Sequence, residues 1–185
     1  AEPAVAAARK AFEAGPWPRL SAAERASYMR ALSQALQRRG AALDSAWIAQ
    51  VGVPIGMAQG SGAGTAGLLD YYAGLAEAYP FEDVRPSHGM MSKVAVVVRE
   101  PVGVVAAIAP WNGPLASLLI KLAPALATGC TVILKPAPET PLEAFMLAEA
   151  AEEAGFPEGV INLLPADREA SVLLVRHPGV DKVAF

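Results

Sequence analysis

Two short segments place polar or aromatic side chains directly after an apolar run. The run VGVVAAIA ends at Ala109 and continues into Pro110-Trp111-Asn112, and the run CTVILK ends at Lys135 and continues into Pro-Ala-Pro-Glu139. Parallel strands present their carboxyl ends at one edge of a sheet, where ligands bind in α/β proteins. The pattern therefore predicts a crevice where an amide, a large aromatic ring and a lysine meet. The residues alone leave a second interpretation equally open, in which Asn112 only caps the following helix and Trp111 covers the edge of the core.

Three other features are weaker candidates for chemistry. Gly62-Ala-Gly64-Thr-Ala-Gly67 matches the dinucleotide fingerprint, but the preceding VGVPIGMAQ is a poor core strand, so we interpret the glycines as part of a loop or helix. The single cysteine, Cys130, lies in an apolar run without a nearby cation, which predicts a buried and inert thiol. His88 and His177 lie in turn or loop sequences, which predicts solvated side chains. No metal site is predicted.

The elements that position these segments alternate between strands and helices. From Val102 onwards, short apolar runs alternate with helical patterns across short loops, which predicts a doubly wound parallel sheet covered by helices on both faces. The pattern predicts helices over residues 1–79. Over residues 80–100 it predicts an extended hairpin arm that turns at His88-Gly89. Capping boxes are predicted at Ser21–Glu24 and Thr140–Glu143, and helix-ending glycines at Gly40, Gly129 and Gly155.

Composition excludes several classes of protein. The formal net charge is −3 without a basic stretch, so a nucleic-acid surface is not expected. The longest apolar stretch, residues 115–134, is interrupted by Lys121 and Pro124, so no membrane span is expected, and the N-terminus does not read as a signal peptide. One cysteine fits a reducing compartment. The chain begins without Met and ends within a strand pattern, so we expect a fragment, with an incomplete domain.

Several linked motifs are similar to those of one known family. REPVGVVAAIAPWNGPLASLLIKLAPALATGCTVILKPAPETP, followed by EAGFPEGVINLLP and HPGVDKVAF, closely resembles the aldehyde dehydrogenase superfamily over residues 99–185. The resemblance extends more weakly to AARKAF, WIAQVGVPIG and YYAGLAEAY. It implies a Rossmann-like cofactor domain, with parts at 1–79, 80–100 and 101–185, and a cytoplasmic enzyme that oxidises a small-molecule aldehyde with NAD or NADP. The hairpin arm would then mediate assembly into a homodimer or homotetramer.

The resemblance also implies roles for individual residues. Asn112 would donate its side-chain amide to the oxyanion, and Lys121 would belong to a proton relay behind the active site. Lys135 would bond the adenosine ribose. The nucleophilic Cys and the general-base Glu of the family would lie beyond Phe185, which agrees with an inert Cys130. The cofactor-binding positions implied are Ile108, Ala109, Pro110, Trp111, Lys135, Ala137, Pro138, Glu139 and Arg168.

Two departures from the family pattern concern the cofactor. Pro138 stands where NAD-preferring members usually carry a Glu, with Glu139 one place on, and the loop at 165–169 lacks the usual glycines. Lys135, with Arg168 as a second candidate cation, would then tolerate a 2′-phosphate, which predicts use of both cofactors. Glu139 would restore NAD preference if it took over the vacant place.

Two alternatives to this enzyme stay open on the sequence. The chain could serve as a non-catalytic cofactor-binding or assembly module. It could also belong to a related dehydrogenase that passes the acyl group to coenzyme A, because the region that separates the two types is not within these residues.

Overall fold

A computed structural model describes residues 1–87 and 93–185, so the predicted turn at His88-Gly89 lies outside the described residues. The described elements are α1 (Glu2–Glu13), α2 (Ala22–Arg38), α3 (Gly40–Val51), α4 (Ile55–Ala58), α5 (Ser61–Ala78), β1 (Glu82–Ser87), β2 (Lys93–Val98), β3 (Val104–Ile108), α6 (Pro114–Ala127), β4 (Thr131–Lys135), α7 (Leu142–Glu153), β5 (Ile161–Leu163), α8 (Arg168–Arg176) and β6 (Lys182–Ala184), with a short 3-10 turn at Trp17–Arg19.

Strands β3 to β6 form a parallel sheet in the order β5-β4-β3-β6. The chain moves outward from β3 to β5 and then returns to place β6 on the other side of β3. A reversal of this kind opens a crevice at the carboxyl ends of the strands that flank it. The predicted doubly wound parallel sheet is confirmed.

The two faces of the sheet belong to two separate apolar clusters. Val105 and Ala107 of β3 pack into a large cluster with residues of α2, α5, α6 and α7. Val104 and Ala106, which alternate with them, pack on the opposite face against α1 and α8. Burial on both faces explains why these strands are uniformly apolar rather than alternating.

The helix ends follow the predicted signals in part. At α2 the capping box forms, because the Glu24 amide donates to Ser21 Oγ over 3.2 Å and the Ser21 amide donates to Glu24 Oε2 over 2.7 Å. Gly129 and Gly155 adopt left-handed backbone conformations after α6 and α7, as predicted. The described helices include none that is long and apolar enough to cross a membrane.

Two helix termini depart in part from the predicted signals. Gly40 directly follows the C-cap of α2, as predicted, but it does not adopt a left-handed conformation, because α3 starts there, and an added Cβ would lie 3.0 Å from the Ala63 Cβ of α5. The second capping box does not form either, since α7 begins at Leu142 after Pro141, with no side-chain cap. The hydroxyl of Thr140 is buried and lacks a hydrogen-bond partner among the described residues.

The fingerprint-like glycines lie inside α5 and follow the short helix α4 rather than a strand, which confirms their interpretation as part of a helix. A Cβ at Gly62 would lie 2.6 Å from the Leu43 Cβ of α3, so this glycine allows two helices to pack closely. Strands β1 and β2 pair as the predicted antiparallel hairpin, and Val84, Val94 and Val96 are exposed on it.

Candidate functional site

The two polar segments meet at the carboxyl edge of the sheet. Ile108 pairs with Lys135 across β3 and β4, and the Ala109 amide donates to the Lys135 carbonyl over 3.0 Å. Ala109 and Ala137 are buried, whereas Pro110 and Trp111 are exposed, with 56% of Trp111 accessible. The ends of β3 and β4 are therefore adjacent, and the Trp111 ring is largely uncovered. A crevice shared by Asn112, Trp111 and Lys135 stays a prediction.

Lys135 is the buried cation of this edge, with 4% of its surface exposed. Burial lowers the pKa of its ammonium group, while the carboxylates of Glu139 and Asp167 oppose that effect. The three groups come from the end of β4, the loop after it and the loop before α8. The site therefore combines one cation with two anions in neighbouring loops.

The loop before α8 brings a carboxylate to this edge, and the role of Arg168 as a second cation stays a prediction. Asp167 is the N-cap of α8, and its Oδ1 accepts from the amides of Glu169 and Ala170 over 3.0 and 3.3 Å. Arg168 is the first residue of α8 and is exposed, as are Pro138 and Glu139. Asp167, rather than Arg168, is the residue of this loop whose charge acts on Lys135.

Asn112 follows Trp111 and lies two residues before α6. The indole Nε1 of Trp47 donates to the Asn112 carbonyl over 3.0 Å. The N-cap of α6 is Gly113, and no side chain caps the helix. The interpretation of Asn112 as a helix cap is therefore wrong, and its side chain is exposed.

Lys121 lies further along α6, at a distance from Asn112. Eight residues separate it from Gly113, which corresponds to about 12 Å of helix at 1.5 Å per residue. Its ammonium donates to the Ser117 carbonyl over 3.0 Å, and burial lowers its pKa. Lys121 lines a separate groove with Cys130 and Lys182. Cys130 is itself buried, with 2% exposed, as the sequence predicts.

Four residues of the site were missed or misassigned from the sequence: Trp47, Gln50, Glu143 and Asp167. Gln50 accepts from the Leu142 amide over 2.8 Å and contacts Glu143 Oε2 over 3.5 Å. These contacts join residues between 65 and 93 positions apart, so no local pattern encodes them. The sequence does contain Glu143, but its capping-box spacing favours a local cap over a contact with another helix.

Glu143 is a carboxyl group held between helices, with 3% of its surface exposed. Burial raises its pKa to about 7, and the backbone amide of Leu115 at the start of α6 partly offsets this rise. Asp44 of α3 lines the same small cavity. We therefore expect the charge of Glu143 to change near neutral pH.

We expect Glu143→Gln to stabilise the protein at pH 8 and to have little effect at pH 4.5. The folded-state pKa lies above the unfolded value of 4.5, so the stability contributed by Glu143 is complete below pH 4.5 and is lost as pH rises through about 7. Removing the buried charge should recover about 1–3 kcal/mol of unfolding free energy at pH 8. Thermal unfolding at both pH values measures this, with exposed Glu149→Gln of the same helix as the control. Equal effects at both pH values would contradict the assignment.

A family model and individual relatives match this chain and point to the same family. The model of the aldehyde dehydrogenase family matches residues 1–185. The chain is 49% identical over 183 residues to a geranial dehydrogenase from Castellaniella defragrans, covering 98% of this chain and 38% of that protein. It is 41% identical over 184 residues to an aminoacetaldehyde dehydrogenase from Pseudomonas aeruginosa, covering 98% of this chain and 36% of that protein.

The fold of this chain also matches solved structures of aldehyde dehydrogenases. An NAD-dependent aldehyde dehydrogenase from Sinorhizobium meliloti superposes with a TM-score of 0.93 at 42% identity, covering 98% of this chain and 36% of the other. A betaine aldehyde dehydrogenase from Staphylococcus aureus in complex with NAD⁺ superposes with a TM-score of 0.94 at 35% identity, covering all of this chain and 37% of the other. The chain thus spans little more than a third of the length of these relatives. Both the family model and the superposed structures show that this chain belongs to the aldehyde dehydrogenase family.

Proposed function

We propose that this chain is the cofactor-binding part of an aldehyde dehydrogenase that oxidises a small-molecule aldehyde to a carboxylic acid with NAD or NADP. The observation that carries the proposal is the convergence of the β3 and β4 ends, where Ile108 pairs with Lys135. Relatives named for NAD dependence or solved with NAD⁺ share this fold at 42% and 35% identity. The parts at 1–79, 80–100 and 101–185 would serve as helical support, assembly arm and cofactor sheet.

The residues at the sheet edge fit a dinucleotide. A ribose diol offers hydroxyl groups that both donate and accept, which suits an ammonium donor next to carboxylate acceptors. Lys135 and Glu139 would hold the ribose, with Ala137, Pro138 and Arg168 beside it. Ile108, Ala109, Pro110 and Trp111 would line the nicotinamide end. The bound cofactor supplies the hydride acceptor.

Asn112 would serve as the oxyanion donor. Its side chain is exposed beside the crevice and does not cap α6, so the amide hydrogens are available to a substrate oxygen. Donors of this kind act on charge that develops in the transition state. Lys121, whose pKa is lowered by burial, would take part in proton transfer at a distance from Asn112. The buried Cys130 has no role in this chemistry.

The exposed hairpin supports a role in assembly. Val84, Val94, Val96 and Val98 are between 53% and 70% exposed, and valines of this kind on a two-stranded ribbon require a covering surface. We propose that the intact protein forms a homodimer or homotetramer through β1 and β2, and that it acts in the cytoplasm.

We expect use of both cofactors, with NADP disfavoured by less than about 2 kcal/mol, or roughly thirtyfold in kcat/KM. Glu139 and Asp167 both act on Lys135, so each carboxylate should oppose a 2′-phosphate. Glu139→Gln and Asp167→Asn should each raise the NADP-to-NAD ratio of kcat/KM by about threefold to tenfold. Asn keeps the capping ability of Asp167.

The control for this prediction is Glu169→Gln, which removes an exposed carboxylate from the first turn of α8, two residues after Asp167. Initial rates with both cofactors measure the ratio. Rejection of NADP by several thousandfold, unchanged in both variants, would show that these carboxylates do not set the preference.

The proposed activity is tested by assaying the full-length protein with an aldehyde and either cofactor, with and without coenzyme A. Formation of the free acid without coenzyme A supports the proposal. A strict requirement for coenzyme A would favour the acylating alternative, and binding of cofactor without turnover would favour the non-catalytic module.

A further inference from the structure

The loop that carries Asn112 has little internal rigidity of its own. Gly113 follows it directly, and glycine restricts the backbone less than any other residue. The start of α6 has no side-chain cap. Gly113 and Leu115 line a cavity of about 30 Å³ at the start of α6. Contacts from other helices therefore help to set the conformation of this loop.

Two contacts reach this loop from outside. The Trp47 indole donates to the Asn112 carbonyl over 3.0 Å, which fixes the peptide that follows Asn112. Glu143 of α7 lines one small cavity with Gly113 and Leu115 at the start of α6, where the first amides have no partner within the helix. The Leu115 amide lowers the pKa of Glu143, which is consistent with this proximity. One contact thus lies on each side of Gly113.

The two contacts are linked through α3. Trp47 and Gln50 are three residues apart on that helix and so lie on the same face. Gln50 accepts from the Leu142 amide over 2.8 Å and contacts Glu143 Oε2 over 3.5 Å. Helix α3 therefore holds both the Asn112 carbonyl and the beginning of α7.

We infer that Trp47 and Glu143 form a brace that positions Asn112 for its interaction with the substrate oxygen. Neither residue touches the substrate, so both are positioning residues. The inference rests on the proposed function of Asn112. A donor that must be aligned with a developing oxyanion loses effectiveness steeply when it is displaced, whereas ground-state binding of cofactor at Lys135 does not depend on it.

The test is Trp47→Phe in the full-length enzyme, which keeps an aromatic ring and removes the N–H donor. We expect kcat to fall about tenfold while the KM for cofactor stays within about twofold. Trp17→Phe is the matched control, because the Trp17 indole is buried and its Nε1 has no partner in the part of the chain that the structure describes. That control should leave kcat unchanged.

A second variant tests the other half of the brace. Glu143→Gln keeps an oxygen acceptor and should retain kcat within about threefold, whereas Glu143→Leu keeps the volume without an acceptor and should lower kcat about tenfold. Equal kcat values for the two variants would overturn the role of Glu143. Circular dichroism confirms that each variant is folded before its rate is interpreted.

A double variant separates the brace from the proposed function. If Trp47 acts through Asn112, then Trp47→Phe should lower kcat by less than about twofold when Asn112 is already Ala. A further tenfold loss in that background, or an unchanged kcat for Trp47→Phe alone, would overturn the brace. An unchanged kcat for Asn112→Ala alone would instead overturn the proposed role of Asn112. Because Trp47 is intact in that variant, the result tests the proposed function and not the brace.

Discussion

Asn112→Ala should lower kcat of the full-length enzyme by about 10²–10³-fold and leave cofactor affinity nearly unchanged. The amide is exposed, does not cap α6, and follows the Trp111 segment at the end of β3. A donor that acts mainly on the transition state reduces kcat and kcat/KM together when it is removed. Steady-state rates at saturating cofactor, combined with a direct titration of cofactor, measure both quantities.

The same variant provides its own control, because the backbone contact from Trp47 to the Asn112 carbonyl does not require the side chain. The fold of the loop should therefore survive the substitution. If the variant loses cofactor affinity but keeps a normal kcat at saturating cofactor, then Asn112 contributes to cofactor binding and does not stabilise the oxyanion. The proposed role would then be wrong.

Lys135→Met should produce the opposite pattern, with cofactor affinity weakened about tenfold to a hundredfold and kcat at saturating cofactor changed by less than about threefold. A hydrogen bond from a charged donor contributes about 1.5–3 kcal/mol, which corresponds to this range. Methionine preserves the apolar stem and suits a position that is only 4% exposed, so the strand end should remain packed. Isothermal titration with NAD measures the affinity.

Lys10→Met serves as the control for charge, because Lys10 is exposed on α1, away from the β4 end. A loss of affinity in that variant equal to the loss in Lys135→Met would show that the effect is one of net charge. Unchanged affinity in Lys135→Met would remove Lys135 from the cofactor site.

The sheet and the position of the site follow from local sequence signals. Apolar runs such as 102–109 predict strands buried on both faces, and the structure divides β3 between two clusters as that pattern requires. The Ser21 capping box and the glycines at 129 and 155 also form as predicted, because each involves residues close in the chain. The convergence of Ile108 and Lys135 then follows from parallel pairing.

The contacts that position Asn112 could not be predicted, because they join separate helices. Thr140 and Glu143 have the spacing of a capping box, but Pro141 stands at the N-cap and Glu143 contacts Gln50 of α3. Here a tertiary contact competes successfully with a local motif. Gly40 shows a related effect, since it follows the end of α2 without a left-handed conformation and lies close to Ala63 of α5.

The most direct test of the account is hydrogen–deuterium exchange of the full-length enzyme with and without NAD. We predict that cofactor slows exchange in the loops at 109–113, 136–141 and 164–169, at the carboxyl edge of the sheet. Residues 60–68, which contain the fingerprint-like glycines of α5, should exchange at the same rate in both states. Protection at 60–68 without protection of the three loops would contradict the account.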